Sequence, residues 1–303
     1  MSEKILQHEV RGGDVGDASG WSVAVACHCE LGERPVWDSR NATLWWVDIL
    51  AGALHSLDAH HGHRVRQRDA PLGTVALRDR GGVMVASARS IVLLDDDGRI
   101  DAEPIEVDFD EGIRFNDGAV DPAGRFVVGT TAIDGRRGAG ALYSVDVLGG
   151  VRTLLEGVTE SNGVGWSPDA RTMYYVDSGE PAVRRYDYDC ETGNVHRSSD
   201  LVALDPATGA PDGLVVDAEG GVWVAMWSGG ALLRYDSGGS LLSRWPTPVT
   251  RPTCPAFADD GQLYLTTAWE GLDETHRAGQ PWAGHVLVRR APVAGLPVSR
   301  FAG

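Results

Sequence analysis

The sequence predicts an all-β fold, a six-bladed β-propeller with a metal site at its centre, and three observations carry that prediction. A segment pattern recurs six times along the 303 residues, with a period of about 45 residues, the length of one four-stranded propeller blade. Glycine is abundant at 39 residues and long helix-favouring stretches are hard to find, as expected of many short strands joined by tight turns. One register of the repeat collects side chains with hard oxygen donors.

The repeat reads in order as follows. The first strand of each unit begins at Glu33, Thr74, Asn116, Asn162, Asp212 and Cys254, and these leading residues stand 41, 42, 46, 50 and 42 positions apart. An apolar stretch follows each, as in Glu33-Arg34-Pro35-Val36-Trp37-Asp38 and Asn162-Gly163-Val164-Gly165-Trp166-Ser167. An acidic or hydroxyl residue five places on (Asp38, Asp79, Asp121, Ser167, Asp217, Asp259) marks a turn. The second strands are 44–47, 82–85, 126–128, 173–176, 222–225 and 263–266. The third are 53–58, 90–95, 141–146, 182–187, 231–236 and 285–290, many ending in Asp with Gly close behind, which is hairpin chemistry. The alternating run Trp21–Cys27 precedes the first unit and is expected to give a strand to the last blade, closing the ring. Residues 1–20, polar and glycine-rich, read as a flexible tail and 21–303 as a single propeller domain.

Composition excludes several classes of partner. A formal net charge of −16 repels phosphate backbones and anionic membranes, so neither nucleic acid nor a membrane surface is expected. No apolar run reaches the roughly 18 residues of a membrane span, and no signal-peptide pattern opens the chain. Cys27, Cys29, Cys190 and Cys254 make no zinc spacing and read as free buried thiols in a reducing cytoplasm. A monomer or weak homo-oligomer is expected.

Equivalent positions of a propeller meet around its axis. The leading residues therefore form a ring, Glu33, Thr74, Asn116, Asn162, Asp212 and Cys254, at one mouth of the channel. Asn or Asp before Gly is, taken singly, a common turn signal, but a turn role gives no reason for oxygen donors to share one register. Two carboxylates and two amides converging there would repel and stay unsatisfied without a cation between them. All-oxygen ligation favours Ca²⁺, Mg²⁺ or Mn²⁺, while a carboxylate-rich site also holds Zn²⁺ or Fe²⁺. Three or four protein ligands leave positions open for water and substrate, the style of a catalytic site.

Four ordered motifs, Leu31-Gly32-Glu33-Arg34-Pro35-Val36-Trp37, Arg114-Phe115-Asn116-Asp117-Gly118, Ser161-Asn162-Gly163 and Pro211-Asp212-Gly213, resemble the senescence marker protein-30 (regucalcin)/gluconolactonase family, and so does the stretch 268–284. The resemblance runs from about Gly32 to the C-terminus. It implies that Glu33, Asn162 and Asp212 are metal ligands, that Asp212 is also the general base, and that Arg114 and Asn116 bind substrate. It further implies that Asp134 stands where vertebrate members have a substrate-binding glutamate. Arg34, where most relatives have Gly or Ser, and Thr131, in place of a common Met, depart from the pattern and leave the substrate open. A guanidinium at position 34 either favours an anionic substrate at the metal mouth or points outward.

The function so implied is metal-dependent hydrolysis of a sugar lactone to its aldonic acid. The metal polarises the carbonyl or its bound water, and Asp212 takes a proton from the attacking water. Arg114 lies two residues before Asn116, so strand alternation places both on one face, where a guanidinium stabilises oxygens by charge-assisted hydrogen bonds. No Gly-x-Ser-x-Gly elbow supports a serine esterase. A calcium-dependent phosphotriesterase or arylesterase and a non-catalytic calcium-binding propeller are the alternatives. His60-His61-Gly62-His63 reads as a turn, Asp95-Asp96-Asp97-Gly98 as a hairpin, and Trp227 and Trp269 as packing residues or a roof for a sugar.

Overall fold

A computed structural model of the chain describes residues 20–303, so the tail expected at residues 1–20 lies outside the described residues except for Gly20. The first strand, β1 (Ser22–Val25), precedes six units. Blade one is β2 (Gly32–Asp38), β3 (Thr43–Asp48), β4 (Ala53–Asp58) and β5 (Gly62–Gln67). Blade two is β6 (Leu72–Leu77), β7 (Val83–Ser87), β8 (Ser90–Leu94) and the two-residue β9 (Ile105–Glu106). Blade three is β10 (Ile113–Val120), β11 (Phe126–Ala132), β12 (Gly140–Val145) and β13 (Val151–Val158). Blade four is β14 (Ser161–Trp166), β15 (Thr172–Asp177), β16 (Ala182–Asp189) and β17 (Asn194–Ala203). Blade five is β18 (Ala210–Val216), β19 (Val222–Trp227), β20 (Ala231–Tyr235) and β21 (Leu241–Pro246). Blade six is β22 (Pro252–Phe257), β23 (Gln262–Thr267) and β24 (Val286–Arg290), completed by β1 on its outer edge. That pairing is the ring closure expected from the run at 21–27. The only α-helix among the described residues, α1 (Glu274–Ala278), is a single capped turn between β23 and β24, too short to cross a membrane.

Each four-stranded antiparallel sheet is sandwiched between two others, which explains the sequence pattern. A blade interior is covered on both faces, so its second strand reads as a continuous apolar run, as in VWVAMW of β19, and not as an alternation. The outer strands face water and are largely exposed, as in β13. The core is divided into six clusters, one at each junction of neighbouring blades. Because the sixth cluster joins β1 and β24 to β3 through Val25, Val286, Leu44 and Trp46, the ring has no open seam.

The turn aspartates behave as the repeat suggested, with one addition. Asp38, Asp121 and Asp217 accept from turn amides and are also buried against Arg40 and Arg300, Arg125, and Arg234 respectively. Arg300 belongs to a C-terminal strap that crosses the ring. Ala294 accepts from Ala218 of blade five, Phe301 exchanges two 2.8 Å backbone bonds with Leu77 and Asp79 of blade two, and Ala302 donates to Gly124 of blade three.

Candidate functional site

All six innermost strands carry a register irregularity at their leading residues. It lies between Glu33 and Val36, Leu72 and Thr74, Phe115 and Gly118, Ser161 and Val164, Pro211 and Leu214, and Pro252 and Pro255. A bulge bends a strand and re-aims a side chain, and here it occurs where Glu33, Asn116, Asn162 and Asp212 reach the channel. The glycines after Asn162 and Asp212 are therefore not turn glycines. Neither has positive φ. A Cβ on Gly163 would lie 2.4 Å from the Leu214 nitrogen, and one on Gly213 would lie 2.5 Å from both Cβ and Sγ of Cys254. Only hydrogen fits where neighbouring inner strands converge.

These residues open on a cavity of ≈ 160 Å³. It brings together Glu33, Arg114, Asn116, Asn162 and Asp212 from four blades, with Glu160, Ser178, Trp227 and Glu270, and the apolar Leu31, Ile49 and Leu50 at its edge. Thr74 and Cys254, the other ring positions, are fully buried, and Thr74 donates instead to the Gly118 carbonyl at 3.3 Å. Asp134 is not brought into the cavity. It sits in the turn after β11, 60 % exposed and 3.1 Å from Arg136. The sequence reading missed Glu160 and Glu270. The signal for Glu160 was present: it precedes Asn162 by two residues, as Arg114 precedes Asn116, and Leu31 and Ala210 hold the same register in blades one and five. All four line the cavity.

Hydrogen bonding fixes how the two amides point. Ser178 donates its hydroxyl to the Pro211 carbonyl at 2.6 Å, so its oxygen accepts from Nδ2 of Asn162 at 2.7 Å. Oδ1 of Asn162 must then face the channel side, where it accepts from Nδ2 of Asn116 at 3.0 Å. Asn116 also donates to the Ser161 carbonyl at 2.8 Å, which leaves its Oδ1 to accept from Nη1 of Arg114 at 2.6 Å. Arg114 donates to the Phe115 carbonyl as well, at 3.0 Å. Arg114, Asn116 and Asn162 thus form one polarised chain ending on an amide oxygen with a lone pair to spare.

The carboxylates beside that oxygen are electrostatically frustrated. Burial pushes Glu33 up to about 8, with the Asp117 charge adding to it. Burial, then the charges of Glu33, Glu160 and Asp117, raise Asp212 well above the ordinary carboxylate range. Burial raises Glu160 too, against the pull of Arg114. Two buried carboxylates with one oriented amide oxygen between blades are a donor set that fits a divalent cation, whose charge offsets the repulsion. Among the described residues no group of three or more His, Cys, Asp and Glu side chains is disposed to hold a metal ion. The set that fits is Glu33, Asn162 and Asp212, all oxygen, as a hard cation prefers.

Arg34 follows neither course suggested by the sequence. Its backbone has φ 43°, and its guanidinium turns down the channel to lie 3.7 Å from Asp117. There it lines a second cavity of ≈ 280 Å³ with Val36, Leu77, Val120, Trp166 and Val216, three or four residues further along the inner strands, closed over by residues 296–299 of the strap. Of the weaker signals, His60 and His61 do form the turn before β5, both donating backbone NH to Asp58. Asp95 caps a turn with Gly98 and Arg99. Trp227 lines the cavity and Trp269 does not.

Comparison with known proteins identifies the family. The family described as "SMP-30/Gluconolactonase/LRE-like region" matches residues 31–269. Regucalcin of Gallus gallus is 34% identical over 297 residues, covering 93% of this chain and 99% of that protein. A pentonolactonase of Haloferax volcanii is 36% identical over 260 residues, 83% and 86% of the two chains. The crystal structure of a calcium-binding protein, regucalcin, from Agrobacterium tumefaciens superposes with a TM-score of 0.87 at 30% identity, covering 92% of this chain and 96% of that one. With the match spanning five of six blades and every one of the four sequence motifs, the chain belongs to the SMP-30/gluconolactonase/LRE-like family.

Proposed function

We propose that this protein is a divalent-metal-dependent lactonase that opens a small, neutral, polyhydroxylated lactone to its hydroxy acid. The observation that carries this reading is the convergence, in one cavity, of Glu33, Asn162 and Asp212 with the Arg114–Asn116 pair. The similarity to a pentonolactonase supports it. Glu33, Asn162 and Asp212 would hold the metal, which when bound supplies Lewis-acid polarisation and a lowered pKa for coordinated water. Asp212 takes the proton of the attacking water as the new C–O bond forms. Arg114 and Asn116 orient the ring and its oxygens by charge-assisted hydrogen bonds. Trp227 lines the cavity beside the polar wall, with the Arg251 guanidinium 4.8 Å from its ring centroid.

The size and charge of the cavity narrow the substrate. At ≈ 160 Å³ it is well below the roughly 300–1,000 Å³ of sites for drug-sized ligands and suits a single ring. Of the four carboxylates in its lining, Glu270 has Arg251 3.9 Å away, so Glu33, Glu160 and Asp212 face one guanidinium, Arg114, and Arg34 is turned away. Even a bound dication leaves the site without surplus positive charge, which disfavours an anionic lactone. Asp134 would contact substrate only from the outer rim.

A pH-indicator assay on a panel of aldonolactones, after chelation and with each of Ca²⁺, Mg²⁺, Mn²⁺, Zn²⁺ and Fe²⁺ restored, tests the reading. Acid release that stops with chelator, returns with metal and is lost by about 10²–10⁴-fold in Asp212→Asn supports it. A calcium-binding protein without catalysis is the rival, supported by the name of the Agrobacterium relative. Tight metal binding with no hydrolysis of any lactone would decide for that rival, and hydrolysis of paraoxon in preference to lactones would decide for a phosphotriesterase.

A further inference from the structure

The loop that joins β1 to β2, where the ring closes, holds two thiols side by side. Sγ of Cys29 lies 3.4 Å from Sγ of Cys27 and donates to it. In an extended strand, residues two apart are separated by about 6.6 Å. The approach is closer here because the intervening His28 has φ 55°, a left-handed conformation that histidine, like Asn and Asp, adopts more readily than other side chains. The bend is held from outside the loop: Trp269 Nε1 donates to the His28 carbonyl at 3.1 Å, and Cys29 N donates to the Gly284 carbonyl at 2.7 Å.

The two sulfurs are not equivalent. Cys27 is half-buried and Cys29 is buried, with Nε2 of His55 at 3.9 Å on its inner side. Burial disfavours the Cys27 thiolate, but the Cys29 thiol and the amides of Cys29 and Val286 point at its sulfur and bring its pKa below the ordinary 9.0. Hydrogen bonding to Cys27 and burial hold Cys29 well above it. Cys27, the more exposed of the two and a thiol that donates to the Gly284 carbonyl at 3.2 Å, stands in front of the buried Cys29 thiol, the arrangement of an attacking and a resolving cysteine.

We propose that Cys27 and Cys29 form a reversible redox site that exchanges with low-molecular-weight disulfides. The Cys27 thiolate attacks one sulfur of the external disulfide, forming a mixed disulfide and expelling one thiolate. Cys29 then gives up its proton to that thiolate and attacks Cys27 Sγ, expelling the second. Two protein thiols are oxidised to one disulfide, and one external disulfide is reduced to two thiols. The separation of 3.4 Å compares with a bonded distance of about 2.05 Å. The same loop backs the wall of the cavity: the Glu30 carbonyl accepts from the amides of Trp269 and Glu270 at 3.1 and 2.9 Å.

The test uses the reduced full-length protein and oxidised glutathione at neutral pH, followed by alkylation under denaturing conditions and peptide mass spectrometry. In the wild type, the peptide carrying both cysteines is expected to lose the mass of two hydrogens and escape alkylation, while Cys190 and Cys254 are alkylated. Cys29→Ala is expected to stop at a stable mixed disulfide on Cys27, and Cys27→Ala to stay reduced over the same time. Full alkylation of Cys27 and Cys29 in the treated wild type, or glutathione found first on Cys190, overturns the proposal. The wild-type result stands without the variants, and none of these readouts depends on lactone hydrolysis.

Discussion

Glu33→Gln should make the metal-free protein more stable while removing its metal dependence. Glu33 is pushed up to about 8 from an ordinary 4.5, by burial and by Asp117. At pH 7 the folded chain therefore keeps a proton that the unfolded chain releases. Stability from this group is fully present below pH 4.5 and is lost as pH rises through 8. By pH 7 the loss spans some 2.5 pH units, which at about 1.36 kcal/mol per unit is about 3 kcal/mol. Glutamine carries no proton to lose. The variant should melt above wild type in chelator at pH 7, by several degrees at about 2 °C per kcal/mol, and the difference should vanish near pH 4.5. Added divalent metal at about 100 times its Kd should raise the wild-type stability by about 2.7 kcal/mol and leave the variant nearly unmoved. Thermal melts at the two pH values, with and without metal, make the comparison. A variant melting at or below wild type in chelator at pH 7 would refute the idea that this site is held under repulsion awaiting a cation.

Three further outcomes follow from the geometry. Arg114 makes its bonds to the Phe115 carbonyl and Asn116 Oδ1 through Nη1 alone, so Arg114→Lys removes the further guanidinium donors left to meet substrate, and the KM for the lactone should rise tenfold or more with the melting temperature nearly unchanged; unchanged kinetics would remove Arg114 from substrate binding. Gly213→Ala drives a Cβ against Cys254 and the Thr253 carbonyl, 2.7 Å away, and should destabilise by about 1–3 kcal/mol while displacing Asp212. Denaturant melts and kcat read both effects, and a neutral variant would show that the inner strands are not in close contact there. Phe301→Ala, which empties a fully buried position on the strap against blades two and three, should cost about 3–5 kcal/mol, visible in a denaturant melt.

The architecture was readable because a propeller repeats. Six leading residues at near-equal spacing, Asp-Gly turns and doubly covered apolar strands are local features, and the closing role of β1 followed from its alternation. The same repetition placed Glu33, Asn116, Asn162 and Asp212 on the axis, since equivalent positions of a closed ring meet there. Arg114 was found by strand alternation, and Glu160 falls at the same step of its own blade.

What the linear order could not decide is which way a side chain turns once strands converge. Bulges at the head of each inner strand aim the donors into the channel, and a bulge is a mismatch between two strands, visible only when both are paired. Gly163 and Gly213 stand in first strands in the sequence reading, and only the structure shows them to be contact points between blades. Arg34 swings to Asp117 in the lower channel because blade three, across the channel from blade one, supplies that buried carboxylate. The pairing of Cys27 with Cys29 depends on His28 being bent by Trp269, which is 241 residues away in sequence. Register and periodicity are properties of the chain alone, whereas burial, opposing charge and close approach depend on what the rest of the ring places alongside.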